Sequence, residues 1–287
     1  MKRARKKTGI LLFILPSLAG VILFVLCPLA KAIYCSFFDK PDCRNFVGLK
    51  NYSGLMKNPA FLKAVGNTGR FYAIALVLVI ILPLAGALLF TDRRRVSRIF
   101  DRTVYLTILL PTASLMTVIG LIFSRGGLLA DEAAFLFGLD ADKLYDSPFA
   151  FILLVMLFVY KYGGYNFLIY RAAISSIPRE FYEEAMLAGA GRIGCAWYVT
   201  LPGILPVMPV VLMLSLMNSY KIYREAYLIG GNYPDESIYL IQHFISNNFV
   251  NMNYSRLCAV TTLILILALS AAGTVYLILR AAKGGQR

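Results

Sequence analysis

Six stretches of this chain are apolar over long runs with no polar stripe: 9–30, 71–90, 104–124, 149–170, 201–220 and 257–279. Five carry no charge, and 149–170 carries only Lys161. A soluble helix keeps one face polar for water. An element apolar on every side predicts burial in lipid, where about 20 residues cross the hydrocarbon core. The pattern predicts an all-α, polytopic membrane protein with six transmembrane helices. It has a cytoplasmic N-terminus at 1–8, and the membrane domain occupies 9–287. Seven of the twelve prolines (Pro16, Pro28, Pro83, Pro111, Pro202, Pro206, Pro209) fall inside or at the ends of these runs. Each would cost about 3 kcal/mol inside a soluble helix, whereas helices in lipid tolerate them when neighbours satisfy the freed carbonyls. The first run has a basic start, and Ala30-Lys31-Ala32 looks like a cleavage site. Its apolar core is longer than the roughly 7–15 residues of a signal peptide, so it reads as a retained anchor.

Composition agrees and adds an orientation. The 287 residues are 59% hydrophobic and 15% charged, against about 25% charged in a soluble domain. Lys and Arg exceed Asp and Glu by 14. With the N-terminus inside, the segments 1–8, 91–103, 171–200 and 280–287 carry a net +11, and the outer segments carry +2. Both termini then lie in the cytoplasm under the positive-inside rule. The Arg93-Arg94-Arg95 cluster becomes a stop signal beside anionic lipid rather than a nucleic-acid patch.

Catalytic and metal chemistry find little here. There is no phosphate loop, His-Glu-x-x-His, paired-cysteine zinc pattern or Gly-x-Ser-x-Gly elbow. His243, the one histidine, falls in an outer segment and reads as solvated. The cysteines (Cys27, Cys35, Cys43, Cys195, Cys258) read as packed free thiols; Cys35 and Cys43 would pair only if both face an oxidising exterior.

The segment 176–200 carries the strongest signal. It predicts a short helix, a turn and a second short helix, with Ser175 or Ser176 as cap and Pro178 in the first turn. Glu180, Glu183 and Glu184 favour the positive end of that helix. Ala185, Ala188, Gly189 and Ala190 leave little side-chain bulk, so a partner can approach the backbone, and Gly189 and Gly191 permit a sharp bend. An ordinary amphipathic linker is the plainer alternative.

Glu183-Glu184-Ala185, then Gly189, Val199 and Leu201-Pro202, resembles the EAA loop of inner-membrane permease subunits of binding-protein-dependent ABC importers. Gly48 to Tyr52, Asn58-Pro59 with Phe61, Asn67-Thr68, Ile177-Pro178, Phe181 to Glu183, and Gly230-Gly231 with Pro234 are similar to its sugar-permease branch, which includes maltose and glycerol-phosphate permeases. Glu184 replaces the first alanine of the pattern, and Ala188 stands where the branch usually has Asp. The resemblance implies a subunit of the bacterial cytoplasmic (inner) membrane that moves a sugar or oligosaccharide inward. An extracytoplasmic solute-binding protein would deliver it, and a second permease subunit, usually making a heterodimer, would share the path. A cytosolic ATPase dimer would bind ATP and magnesium. This chain would hold no cofactor or metal and be no enzyme. By the same resemblance Glu183, Glu184, Ala185 and Gly189 couple it to the ATPase.

Polar groups are expensive inside a bilayer, so those in the runs are candidates for a substrate path. The fourth run carries Tyr160, Lys161, Tyr162, Gly163, Gly164, Tyr165 and Asn166, and the fifth ends in Asn218, Ser219 and Tyr220; of these, Lys161, Gly164, Tyr165, Asn166, Asn218 and Tyr220 are the candidate path residues. Resemblance points to Gly164, Tyr165 and Asn218 as sugar contacts. Lys161 could meet an anionic substrate, pair with an acidic residue, or snorkel. Ala268, Ala272 and Gly273 suit close helix packing. A small anion such as glycerol phosphate is the alternative cargo. A secondary transporter is the alternative class, but none of the 15 acidic residues lies in a run to carry coupling protons.

Overall fold

A computed structural model describes residues 14–40, 42–89, 104, 110–123 and 126–284. Its principal helices are α1 (Ile14–Cys35), α2 (Lys50–Met56), α3 (Pro59–Leu89), α4 (Thr112–Phe123), α5 (Ala130–Phe137), α6 (Phe149–Ser175), α7 (Arg179–Leu187), α8 (Arg192–Gly230), α9 (Ile241–Val250) and α10 (Tyr254–Gly284). Five helices, α1, α3, α6, α8 and α10 through Thr274, are long and apolar enough to cross a membrane. The predicted third run is described as a helix only over α4, and most of 104–111 lies outside the described residues, as do 1–8 and the Arg93 cluster. The fifth run extends beyond its predicted limits at both ends, because α8 continues to Gly230. Glu225, which lies beyond the predicted end of that run, is carried on the same helix and is buried.

The chain divides into two compact units, one of residues 1–62 and 245–270, the other of 63–244 and 271–287. In the larger unit, Phe71, Ala75 and Val79 of α3 pack on Ala150, Phe151, Leu154 and Phe158 of α6 and on Ile222 and Ala226 of α8. The four-residue spacing sets one stripe of each helix against its neighbour. Alanines in the contact let the backbones approach, which is where packing energy comes from when lipid is as apolar as the protein. Further along α6, Phe167, Tyr170 and Ile174 meet Ala87, Ile204 and Val211.

His243 corrects an expectation. It is fully buried rather than solvated, edge-on to Tyr223 and stacked on Tyr239. Its Nδ1 accepts the Leu240 N–H at 3.2 Å, which requires the neutral ring, and burial pushes its pKa down to about 4. Nearby, Asn67 donates to the carbonyls of Glu236 and Tyr239, and Thr68 Oγ1 accepts the Ile241 N–H at 3.0 Å.

In the smaller unit Cys35 and Cys43 form a disulfide, correcting the reading as free thiols, with Cα atoms 5.6 Å apart. The loop it closes is held from α2. Asn51 donates to the carbonyls of Ser36 and Phe38, both at 2.8 Å, and the Tyr52 and Ser36 hydroxyls lie 2.6 Å apart. Asn58 Oδ1 accepts the Phe61 N–H at 3.2 Å, capping the start of α3.

Candidate functional site

A seam of polar groups runs between α6 and α8 inside the larger unit. Its first tie begins with a proline. Pro83 has no N–H, so the carbonyl four residues earlier, at Val79, loses its helical donor. Asn166 of α6 replaces that donor at 2.9 Å and gives a second hydrogen bond, also 2.9 Å, to Ser215 Oγ of α8. Gly163, one turn away, faces the same proline, and a Cβ there would rest in van der Waals contact with its ring at 3.4 Å. Asn166 is thus buried with both amide hydrogens engaged by protein.

The second tie is ionic. Lys161 Nζ lies 2.6 Å from Glu225 Oε1 and also donates to Thr112 Oγ1 at the start of α4. Thr112 in turn reaches Glu225 Oε1 at 3.3 Å. Lys161 is the thirteenth residue of the 27 in α6, so it sits mid-helix, while Glu225 lies near the end of α8. Of the three fates open to Lys161, the structure shows the acidic partner. Sequence reasoning missed Glu225 because it placed the end of the fifth run at Tyr220.

These ties pair 166 with 215 and 161 with 225, so α6 and α8 run antiparallel, and the other candidates lie along the stretch between the ties. Gly164 and Asn218 are half-buried, and Tyr165 and Tyr220 are exposed, at 43% and 47%. Beside them, Tyr72 hydrogen-bonds Ser219 and Gln242, and Gln242 donates to the Tyr220 carbonyl at 3.1 Å. Thr112, Ser215, Tyr72 and Gln242 were not singled out from sequence. Serines at 215 and 219, one turn apart in an apolar run, were the available signal. Among the described residues no three His, Cys, Asp or Glu side chains gather as a metal set.

The second region is the loop around α7. Ser175 and Ser176 do not cap it; their hydroxyls bond back to Arg171 and Ala173, and Pro178 occupies the cap position. At the other end Gly189 has φ +87°, its N–H reaches the Met186 carbonyl at 3.0 Å, and the Ala190 N–H reaches Ala185 at 2.9 Å. That is a Schellman cap, which needs glycine four residues after Ala185 and so accounts for the motif's spacing. The second helix is not short, since it runs on into α8. Ile177 seats against Gly203, where a Cβ would lie 2.6 Å from Cδ1, and Tyr182 OH lies 3.0 Å from Thr200 Oγ1. Glu183, Glu184 and Gly189 are exposed, and Ala185 is half-buried. The region is not free of bulk either: Leu187, Tyr198 and Trp197 are all largely exposed. A surface of bare backbone, two carboxylates and exposed aromatic groups has the makings of a protein interface.

Comparison with known proteins places this geometry. Residues 84–282 match the family model described as binding-protein-dependent transport system inner membrane component. The chain is 30% identical to the probable ABC transporter permease protein YurN of Bacillus subtilis (strain 168), covering 90% of this chain and 92% of that one. It is 28% identical to the arabinooligosaccharides transport system permease protein AraP of the same organism, over 92% and 87% of the two chains. Its fold matches a chain of a bacterial ABC transporter that imports the acidic polysaccharide alginate, with a TM-score of 0.84, 98% of both chains covered and 19% identity.

Proposed function

The chain belongs to the family of binding-protein-dependent transport system inner membrane components, and from that premise we propose that it carries a saccharide into the cytoplasm as one permease subunit of an ATP-driven importer. The observation that carries the reading is the joint presence of the family match across α6–α10 and the α7 loop, whose Schellman cap and exposed surface suit docking on a partner. The relative AraP, named for arabinooligosaccharides, supports a saccharide as cargo. A soluble binding protein delivers the saccharide from outside, and a second permease subunit completes the path. A cytosolic ATPase dimer, holding ATP and magnesium, seats α7 through Glu183, Glu184, Ala185 and Gly189. Its closure rocks the two permeases between inward- and outward-facing states, a rigid-body change. Both termini lie in the cytoplasm, where the basic segments gather. The saccharide passes along the seam at Gly164, Tyr165, Asn218 and Tyr220, whose amide and phenol groups bond hydroxyls and whose rings stack on sugar faces. Asn166 holds the helices together beside it.

Co-purification from the native host followed by uptake assays in vesicles, with a panel of oligosaccharides, tests this. ATP-dependent uptake that requires the co-purified ATPase is the expected result. Uptake by this chain alone, with no ATPase present, overturns it.

A further inference from the structure

Lys161 and Glu225 neutralise one another, but they are not equally placed. The Lys161 side chain keeps 22% of its surface open, and the Glu225 side chain keeps 1%. Lys161 is therefore the more open member of the pair and Glu225 the enclosed one. Glu225 Oε1 takes both available donors, Lys161 and Thr112, and Oε2 is buried with no partner among the described residues. Lys161 has a third ammonium hydrogen beyond those directed at Glu225 and Thr112. Gly164 and Tyr165, three and four residues on, share its helix face.

Taking the chain as a saccharide permease, we propose that Glu225 sets the charge selectivity of the path: by cancelling Lys161 it admits uncharged saccharides and turns away uronates. A substrate carboxylate could accept that third hydrogen, but the charge of Lys161 is already balanced by Glu225. Two carboxylates would then share one ammonium, leaving one negative charge uncompensated in an apolar bundle. An uncharged saccharide makes no such demand. One of its hydroxyl oxygens accepts the third ammonium hydrogen and leaves the ion pair closed. With Glu225 uncharged, the same lysine would present a full positive charge to the path.

The test is equilibrium binding to the assembled permease–ATPase complex in nanodiscs, without the binding protein, whose own selectivity would otherwise be measured. The probes are a panel of neutral trisaccharides and their C6-oxidised uronate counterparts. Wild type is expected to bind a neutral member at least tenfold more tightly than its uronate. Glu225→Gln should raise uronate affinity tenfold or more and leave the neutral affinity within threefold. A merely structural pair predicts instead that Glu225→Gln weakens both alike. The reversed pair, Lys161→Glu with Glu225→Lys, leaves no charge unpaired and should keep the neutral preference. If Glu225→Gln does not fold, the reversed pair decides alone, and loss of its preference overturns the proposal. A wild type that favours a neutral sugar while Glu225→Gln leaves the ratio unchanged overturns the charge filter alone, as does a wild type that binds uronates equally well. A panel that binds neither wild type nor variant overturns the saccharide reading with it.

Discussion

Replacing Asn166 by leucine keeps the volume of the side chain and removes two hydrogen bonds, to the Val79 carbonyl and to Ser215 Oγ. The Ser215 hydroxyl can turn to another acceptor, but the Val79 carbonyl has no helical donor, because Pro83 stands where that N–H would be. Leaving a buried acceptor unmade costs about 1–3 kcal/mol in proteins generally. Hydrogen bonds between membrane helices measure nearer 0.6 and up to about 1.7. The expected loss for Asn166→Leu is therefore about 1–2 kcal/mol. Pro83→Ala restores an N–H at position 83 that can close the helical bond to Val79. In that background Asn166→Leu should lose only its Ser215 share, giving a coupling of about 1 kcal/mol between two residues on different helices. Equilibrium unfolding of the four variants in mixed micelles, followed by circular dichroism, measures it. Equal cost of Asn166→Leu in both backgrounds would refute the reasoning, since Val79 would then be satisfied without Asn166.

Other expectations follow from the same geometry. Gly189→Ala forces a Cβ into a φ of +87° and should weaken the end of α7 by about 1–2 kcal/mol; Gly189→Arg should abolish substrate-stimulated ATPase activity while the chain still fractionates with the membrane. Full transport by the arginine variant would remove α7 as the coupling element. His243 has a native pKa near 4, below about 6.5 when unfolded, so the unfolded chain binds the extra proton between those values. Stability should be constant above pH 6.5 and fall by up to about 3 kcal/mol as the pH drops toward 4. His243→Asn, which keeps an acceptor for Leu240, should flatten that slope in a thermal series. Cys35 and Cys43 should resist thiol labelling until reduced, and Cys35→Ser with Cys43→Ser should destabilise the loop they close by about 2–3 kcal/mol on the chain-entropy account. Labelling before reduction would show the pair to be open.

The sequence alone determined the solvent and much of the architecture. Lipid burial needs helices apolar on every side, and that property is local, so five of the six runs reappear as long helices with shifted ends. It also determined the turn at Gly189, since the Schellman cap joins residues five apart or fewer. The resemblance residues Asn51, Tyr52, Asn67 and Ile177 were legible as a pattern, but their work was not. Each answers a group on another segment: loop carbonyls for Asn51 and Asn67, the Ser36 hydroxyl for Tyr52, the bare backbone of Gly203 for Ile177. The same limit hid the seam. Pro83 needs Asn166 across 83 positions, and Lys161 needs Glu225 across 64. A charge is expensive in lipid wherever it sits, so sequence could say that Lys161 required an answer. Only the antiparallel packing of α6 on α8 decided which residue supplies it, because that depends on where α8 ends and which of its faces turns inward.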